Sequence, residues 1–156
     1  MTPQRALVVF AEGNGLHVIE SLRRRFDPLA TVIAAHATLV FPFTSSISDS
    51  ELESHIERAV DGLLPFRARF EGVAEVEDEY LFLDATAGRE AFIELHDRLY
   101  QGLLAEHLST AHAYRPHITI GRIHDRRDRE AALAEARGTT PEVEWEVTKV
   151  SIFELS

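Results

Sequence analysis

The chain has 156 residues, of which 45% are apolar and 27% are charged, and these values are typical of one compact globular domain. Its formal net charge is −10, so a small nucleotide or an RNA end suits it better as a partner than a long duplex nucleic acid, which selects a basic face. The absence of cysteine excludes disulfides, cysteine nucleophiles and thiolate metal sites.

The composition also predicts where the protein works and in what state. No apolar run approaches the roughly 20 residues that a membrane span needs, and the first residues lack the pattern of a signal peptide. We therefore expect a cytoplasmic monomer with no membrane partner. Lys149 is the only lysine and lies in a strand-like run, which argues against a ligase that forms a nucleotidyl-lysine intermediate.

The first half of the chain alternates strand and helix patterns. Residues 6–11 form a short apolar run typical of a buried strand, and residues 16–26 carry helical periodicity that ends before Pro28. A second strand is predicted over residues 31–43. Ser48 and Glu51 form a capping-box pattern that begins a helix, which Pro65 closes.

The second half continues with a hairpin, two helices and two strands. Residues 66–71 and 80–84 read as hairpin strands, residues 88–108 as the longest helix, and residues 114–123 as a strand. A short helix over residues 128–137 and one closing strand over residues 143–155 complete the predicted order β-α-β-α-β-β-α-β-α-β.

One four-residue pattern occurs twice, in strand-like segments about half a chain apart. His36-Ala37-Thr38-Leu39 and His117-Ile118-Thr119-Ile120 both read His-x-Thr-aliphatic. Since residues i and i+2 of a strand point to the same face, each motif aims an imidazole and a hydroxyl at one side of a sheet. Two such pairs facing one cleft would supply an acid, a base and two hydroxyl donors. The spacing also fits a diverged internal duplication.

Other interpretations of the histidines stay open at this level. The threonines fit ordinary strand positions and the histidines fit satisfied core groups. A metal site is disfavoured because no HExxH, His-x-His or acidic cluster lies near either motif. The nucleophile elbow of hydrolases, the P-loop and the GxGxxG fingerprint are also missing. Four further histidines lie in predicted helices, where packed or solvated roles are expected: His17, His55, His96 and His107.

The two motif segments, HATLVFPF and RPHITIGR, resemble those of the 2H phosphoesterase superfamily. Within it they are similar to the bacterial group of 2′-5′ RNA ligases and RNA 2′,3′-cyclic phosphodiesterases. The second segment carries the closest match, through Pro116, His117, Thr119, Gly121 and Arg122. Ala35 departs from the family pattern, in which a proline precedes the first histidine.

The resemblance implies one bilobal α+β domain spanning residues 1–156. Two antiparallel sheets related by a pseudo-twofold would flank a central groove, with the helices outside. It also implies catalysis without a metal or another cofactor, by His36, Thr38, His117 and Thr119. By analogy with the family, His117 is the base and His36 the acid.

The resemblance further implies a hydrolase that opens the 2′,3′-cyclic phosphates of nucleotides or RNA ends to 2′-phosphates, and reversal would join a 2′-5′ linkage. Arg122 is expected to bind phosphate, although strict alternation places it on the face opposite Thr119. Tyr114 and Phe43 are expected to stack on a base. The alternatives are a non-catalytic module that binds nucleotides or RNA ends, and a hydrolase of another cyclic phosphoester such as ADP-ribose 1″,2″-cyclic phosphate.

Overall fold

The computed structural model describes residues 2–155, which fold into seven strands and four α-helices. The strands are β1 (Gln4–Phe10), β2 (His36–Thr44), β3 (Phe66–Val76), β4 (Tyr80–Ala87), β5 (His117–Arg122), β6 (Glu142–Val147) and β7 (Ser151–Leu155). The helices are α1 (Leu16–Phe26), α2 (Asp49–Val60), α3 (Arg89–Leu99) and α4 (Arg126–Gly138). None of the helices in residues 2–155 is both long enough and apolar enough to cross a membrane.

All seven strands belong to one antiparallel sheet with the order β6-β3-β4-β5-β2-β1-β7. The predicted α+β class is confirmed, and the two expected sheets are the two lobes of this sheet. A single residue pair, Ala37 with Ile118, connects β2 of one lobe to β5 of the other. Beyond that pair the two motif strands separate.

The two lobes repeat one β-α-β unit around the central β2–β5 pair. β1-α1-β2 forms the inner part of one lobe and β4-α3-β5 that of the other, in mirrored strand order. Each helix is preceded by a glycine at positive φ, Gly15 at 92° and Gly88 at 77°. A Cβ on Gly15 would lie 2.1 Å from the carbonyl oxygen of Glu142, and one on Gly88 2.5 Å from that of Arg67, so only glycine fits either turn.

The helices cover one face of the sheet and leave the other open. Ala37, Leu39, Ile118 and Ile120 are completely buried on the covered face and belong to the single hydrophobic core. The opposite face carries the half-buried histidines and threonines of both motifs. We call the face that carries His36, Thr38, His117 and Thr119 the open face. Alternation along β2 and β5 therefore separates the core residues from the reactive ones.

Two predicted elements differ from the structure. The single strand predicted over residues 143–155 is two strands, β6 and β7, at opposite edges of the curled sheet. The three residues between them, 148–150, include no glycine or proline that would have marked the break. The long helix predicted over residues 88–108 ends at Leu99, and a 3-10 helix (Gly102–His107) follows, because Gly102 takes a positive φ of 61°.

Candidate active site

The four motif residues come together where the two lobes meet. His36 is the first residue of β2 and His117 the first of β5. Because β2 and β5 are antiparallel and Ala37 pairs with Ile118, His36 lies opposite Thr119 and Thr38 lies opposite His117. In this register His36 and His117 are diagonal neighbours, for which about 7–8 Å is typical, so the two imidazoles and two hydroxyls surround a space suited to one phosphoryl group.

Backbone carbonyl groups orient both imidazole rings in the same way. Nδ1 of His36 donates to the carbonyl oxygen of Ala34 at 2.9 Å, and Nδ1 of His117 donates to that of Arg115 at 2.6 Å. A carbonyl oxygen only accepts hydrogen bonds, so the proton is on Nδ1 in both neutral rings. Nε2 of each ring is left free to accept or donate a proton at the open face.

Burial changes the acid-base properties of both histidines. It lowers the pKa of His117 to about 4, and it also lowers the pKa of His36 below its usual 6.5. The hydrogen bonds to Arg115 and Ala34 oppose this effect in part, because they favour the protonated rings. The charge of His36 also lowers the pKa of His117. Both rings are therefore neutral in the free protein at neutral pH.

These pKa shifts predict the pH dependence of turnover. Reaction needs one neutral and one protonated histidine, a combination that is populated above the pKa of His117 and lost as the pH rises through the lowered pKa of His36. We expect kcat/KM, which reports the free enzyme, to peak between about pH 4 and pH 6.5. A bound phosphodiester anion raises both pKa values, so the kcat profile should lie at higher pH. A kcat/KM optimum above neutral pH would contradict this expectation.

The segment before His36 is held by a buried guanidinium group on α1. Arg23 is 1% exposed, and its Nη2 donates to the carbonyl oxygen of Ile33 at 2.8 Å. Its Nη1 donates to Glu20 at 2.6 Å, and the other oxygen of Glu20 accepts from the backbone N–H of Ala35 at 3.0 Å. The backbone on both sides of Ala34, whose carbonyl group orients His36, is therefore fixed by the helix.

Strand β4 supports His117 on the other lobe. The ring of Phe82 stacks on the imidazole of His117, with 3.6 Å between ring centroids and 14° between planes. Asp84 lies directly opposite His117 and accepts two hydrogen bonds from Arg115, at 2.7 and 2.8 Å. These three residues were not predicted from the sequence. A hairpin strand is predicted over residues 80–84, but only the β4–β5 register shows which of its residues contact His117.

The predicted substrate-binding residues lie in three different environments. Phe43 is 5% exposed and packs against His107, so it has no face open to a base, and its assignment to substrate binding is corrected. Arg122 is on the open face after all, because a bulge at Ile120 interrupts the alternation and places Arg122 opposite Tyr80. The guanidinium of Arg122 donates to Glu79 at 3.0 and 3.1 Å.

Tyr114 connects the two lobes instead of offering an open ring. Its hydroxyl donates to the carbonyl oxygen of Thr38 at 2.8 Å, and its ring stacks on His96 with 4.0 Å between centroids. Burial raises the pKa of this hydroxyl, which keeps it protonated as a donor. Tyr100 also binds the backbone of β2, where its hydroxyl oxygen accepts a hydrogen bond from the N–H of Phe41 at 3.0 Å. We therefore correct the stacking role predicted for Tyr114: the side chain sets the position of β2.

Replacing Tyr114 with phenylalanine should destabilise the fold. The variant leaves a part-buried carbonyl group of Thr38 without its donor, at a cost of about 1–3 kcal/mol in the free energy of unfolding. Urea denaturation followed by circular dichroism measures the difference. Tyr80→Phe, which removes a hydroxyl at the half-buried end of the β3–β4 hairpin, is the control and should stay within about 0.5 kcal/mol of the parent. Equal stability of the two variants would contradict the connecting role of Tyr114.

The remaining histidines belong to neither motif. Nε2 of His55 donates to the carbonyl oxygen of Leu99 at 2.7 Å, and His96 packs between Tyr100 and Tyr114, so both have the packed roles expected of them. His17 is exposed on α1. Residues 2–155 include no group of three or more histidine, aspartate or glutamate side chains placed to hold one metal ion.

Gly121 explains part of the second motif. A Cβ at this position would lie 3.2 Å from the Cβ of Phe26 and 3.4 Å from the nearest side-chain atom of Leu81. A side chain would therefore push the end of α1 away from β5. The glycine allows the helix to pack closely behind the strand that carries His117 and Thr119.

Comparison with known proteins agrees with this geometry. A candidate phosphoesterase of Bacillus licheniformis is 27% identical over 121 residues, which are 73% of this chain and 68% of that protein. A phosphoesterase crystal structure is 16% identical, with a TM-score of 0.67 over 100% of this chain and 90% of that one. E. coli LigT complexed with 3′-AMP is 15% identical, with a TM-score of 0.61 over 100% of this chain and 89% of that one.

The two structural likenesses show a shared fold, and a sequence match shows the family. The family model of the 2′-5′ RNA ligase superfamily matches residues 11–156, which is nearly the whole chain and includes both His-x-Thr motifs. The predicted resemblance is thereby confirmed, and the chain belongs to the 2′-5′ RNA ligase superfamily of 2H phosphoesterases.

Proposed function

We propose that this protein is a metal-independent phosphodiesterase that opens the 2′,3′-cyclic phosphates of nucleotides or RNA ends to 2′-phosphates. One observation carries the proposal: two histidines with free Nε2 atoms and two threonine hydroxyls lie on one face at the junction of the lobes. Opening a cyclic phosphate needs a base, an acid and donors to the phosphoryl oxygens, and these four groups supply them.

The proposed step balances with water as the only co-reactant. Nε2 of His117 takes a proton from water while the water oxygen forms a bond to phosphorus. The bond between phosphorus and the ribose 3′ oxygen breaks, and Nε2 of His36, protonated beforehand, gives its proton to that oxygen. The hydroxyls of Thr38 and Thr119 donate to the phosphoryl oxygens, on which negative charge grows. The pKa of His117, which burial lowers to about 4, keeps this ring neutral and able to act as the base at neutral pH.

Two further observations support the proposal. Membership of the 2′-5′ RNA ligase superfamily supports an enzyme that acts on phosphoesters. E. coli LigT, which shares the fold, binds the nucleotide 3′-AMP in its crystal structure. Because each histidine reverses its role in the reverse reaction, the same site is suited to joining a 2′-5′ linkage from a cyclic phosphate without ATP.

The experiment is turnover of the four 2′,3′-cyclic mononucleotides in EDTA, with products separated as 2′- or 3′-phosphates. We expect conversion to 2′-phosphates at a rate that EDTA does not change. Formation of 3′-phosphates would contradict the proposed bond cleavage, and inhibition by EDTA that added metal reverses would contradict metal independence. Tight binding of the cyclic nucleotides without turnover would support a binding module instead.

A further inference from the structure

The open face of the β3–β4–β5–β6 lobe carries a continuous set of ion pairs that starts at the active site. Directly opposed residues on antiparallel strands lie on the same face of the sheet. His117 lies opposite Asp84, Asp84 opposite Glu71, and Glu71 opposite Glu142, so this face extends across four strands. Arg67 and Arg69 of β3 share this face because they alternate with the buried Ala68 and Phe70. The surface beside the motifs is therefore charged but not basic.

Every arginine on this part of the open face is already paired with a carboxylate. Arg115 binds Asp84 at 2.7 and 2.8 Å, and Arg122 binds Glu79 at 3.0 Å. Further from the motifs, Arg69 binds Glu142 at 3.1 Å and also contacts Glu71, while Arg67 binds Glu144 at 2.9 Å. A guanidinium whose donors face a carboxylate must lose that partner before it can hold a phosphate.

The carboxylates also outnumber these arginines. The β6 strand places a row of exposed glutamates on this face, Glu142, Glu144 and Glu146, because its valine and tryptophan residues alternate toward the core. Glu71, Glu79 and Asp84 add three more carboxylates against the four arginines. A second or third phosphate of an RNA chain crossing this lobe would meet like charge instead of free cations.

The other lobe offers apolar contact in place of charge. On the open face, Phe10 of β1 lies opposite His36 and Phe153 of β7 lies opposite Ala6, and both rings are half-buried. Ala6 and Val8 of β1 are buried. The ring of Phe10 meets the imidazole of His36 edge-on, with 6.5 Å between centroids. The half-buried ring of Phe10 suits contact with a sugar or a base.

We propose that the site selects cyclic phosphoesters that carry a single phosphate, such as mononucleoside 2′,3′-cyclic phosphates, over RNA chains that end in one. The proposal rests on the proposed function and narrows its substrate class. The arginine–carboxylate pairs of the β3–β6 lobe act as specificity determinants, since they remove free cations from the path of flanking phosphates. The same charges disfavour ADP-ribose 1″,2″-cyclic phosphate, which carries a diphosphate in addition to the cyclic one.

The first test compares kcat/KM for a mononucleoside 2′,3′-cyclic phosphate and for a tetranucleotide that ends in the same cyclic phosphate. We expect the mononucleotide to be preferred by about tenfold at low salt, and added salt to reduce the difference because it screens the repulsion. Preference for the tetranucleotide, or equal kcat/KM values at low salt, would overturn the proposal and leave the proposed function standing. Turnover of neither substrate would overturn both.

The second test removes carboxylate partners of Arg67 and Arg69. Glu142→Gln together with Glu144→Gln removes the β6 carboxylates that bind Arg69 and Arg67. Both arginines are on β3, two strands away from His117, and Arg69 keeps its contact with Glu71. We expect kcat/KM for the tetranucleotide to rise about fivefold to tenfold, with little change for the mononucleotide. The matched control is Glu130→Gln, which frees Arg126 on the exposed surface of α4. A gain no larger than the control's would contradict the role of the ion pairs.

Discussion

Replacing either motif histidine with alanine should reduce kcat/KM by about 10²–10⁴ for a 2′,3′-cyclic nucleotide, because each variant removes one of the two proton transfers. The double variant should lose only slightly more kcat/KM than the less active single variant, since acid and base act as a unit. His17→Ala, which removes an exposed imidazole on α1, is the control and should keep full activity. Retained turnover in His36→Ala or His117→Ala would contradict the two-histidine mechanism.

A second substrate separates the acid from the base. A p-nitrophenyl phosphodiester releases a leaving group that needs no proton, so loss of the acid should matter little for it while loss of the base should matter fully. With His36 as the acid, His36→Ala should keep most of its activity on this ester, and His117→Ala should stay inactive. The opposite pattern would exchange the roles. The pH profile alone does not assign them, because one neutral and one protonated histidine give the same bell shape either way.

Replacing Thr38 or Thr119 with valine should reduce kcat by about 10²–10³, because each change removes one donor to the phosphoryl oxygens without changing the shape of the side chain. Thr38→Ser and Thr119→Ser are the matched controls, and both should keep kcat within about tenfold of the parent, since the hydroxyl remains.

Stability measurements show whether the threonine effect is chemical. Thr38 and Thr119 are half-buried on the open face, so valine at either position should change the free energy of unfolding by no more than about 1 kcal/mol. A loss of kcat with stability preserved supports the role of the hydroxyl groups. Less than a threefold loss of kcat in both valine variants would contradict it.

The local pattern of the chain was sufficient for most elements and for the placement of the four motif residues on one face of their strands. Strand alternation at residues 36–39 and 117–120 separates reactive from core side chains within each motif, and this requires only the period of a strand. The capping box at Ser48 and Glu51 is present as predicted, with Ser48 accepting from the backbone N–H of Glu51 at 3.1 Å. Such features depend on neighbours within a few residues, which the sequence displays directly.

Other features depend on which strands meet and in which register. Alternation places Arg122 on the covered face, whereas the bulge at Ile120 turns it to the open face beside Tyr80. The stacking of Phe82 on His117 follows from the pairing of β4 with β5.

The sequence by itself determined the two motifs, because alternation and residue type carry that information locally, and the fold class followed from the family resemblance of those motifs. Only the tertiary structure decided that Tyr114 joins the lobes, that Phe43 is buried, and that the arginines beside the site are paired with carboxylates. The physical reason is that burial and ion pairing are set by residues far apart in the chain, such as Arg67 and Glu144, which are 77 positions apart and which the folded sheet brings into contact.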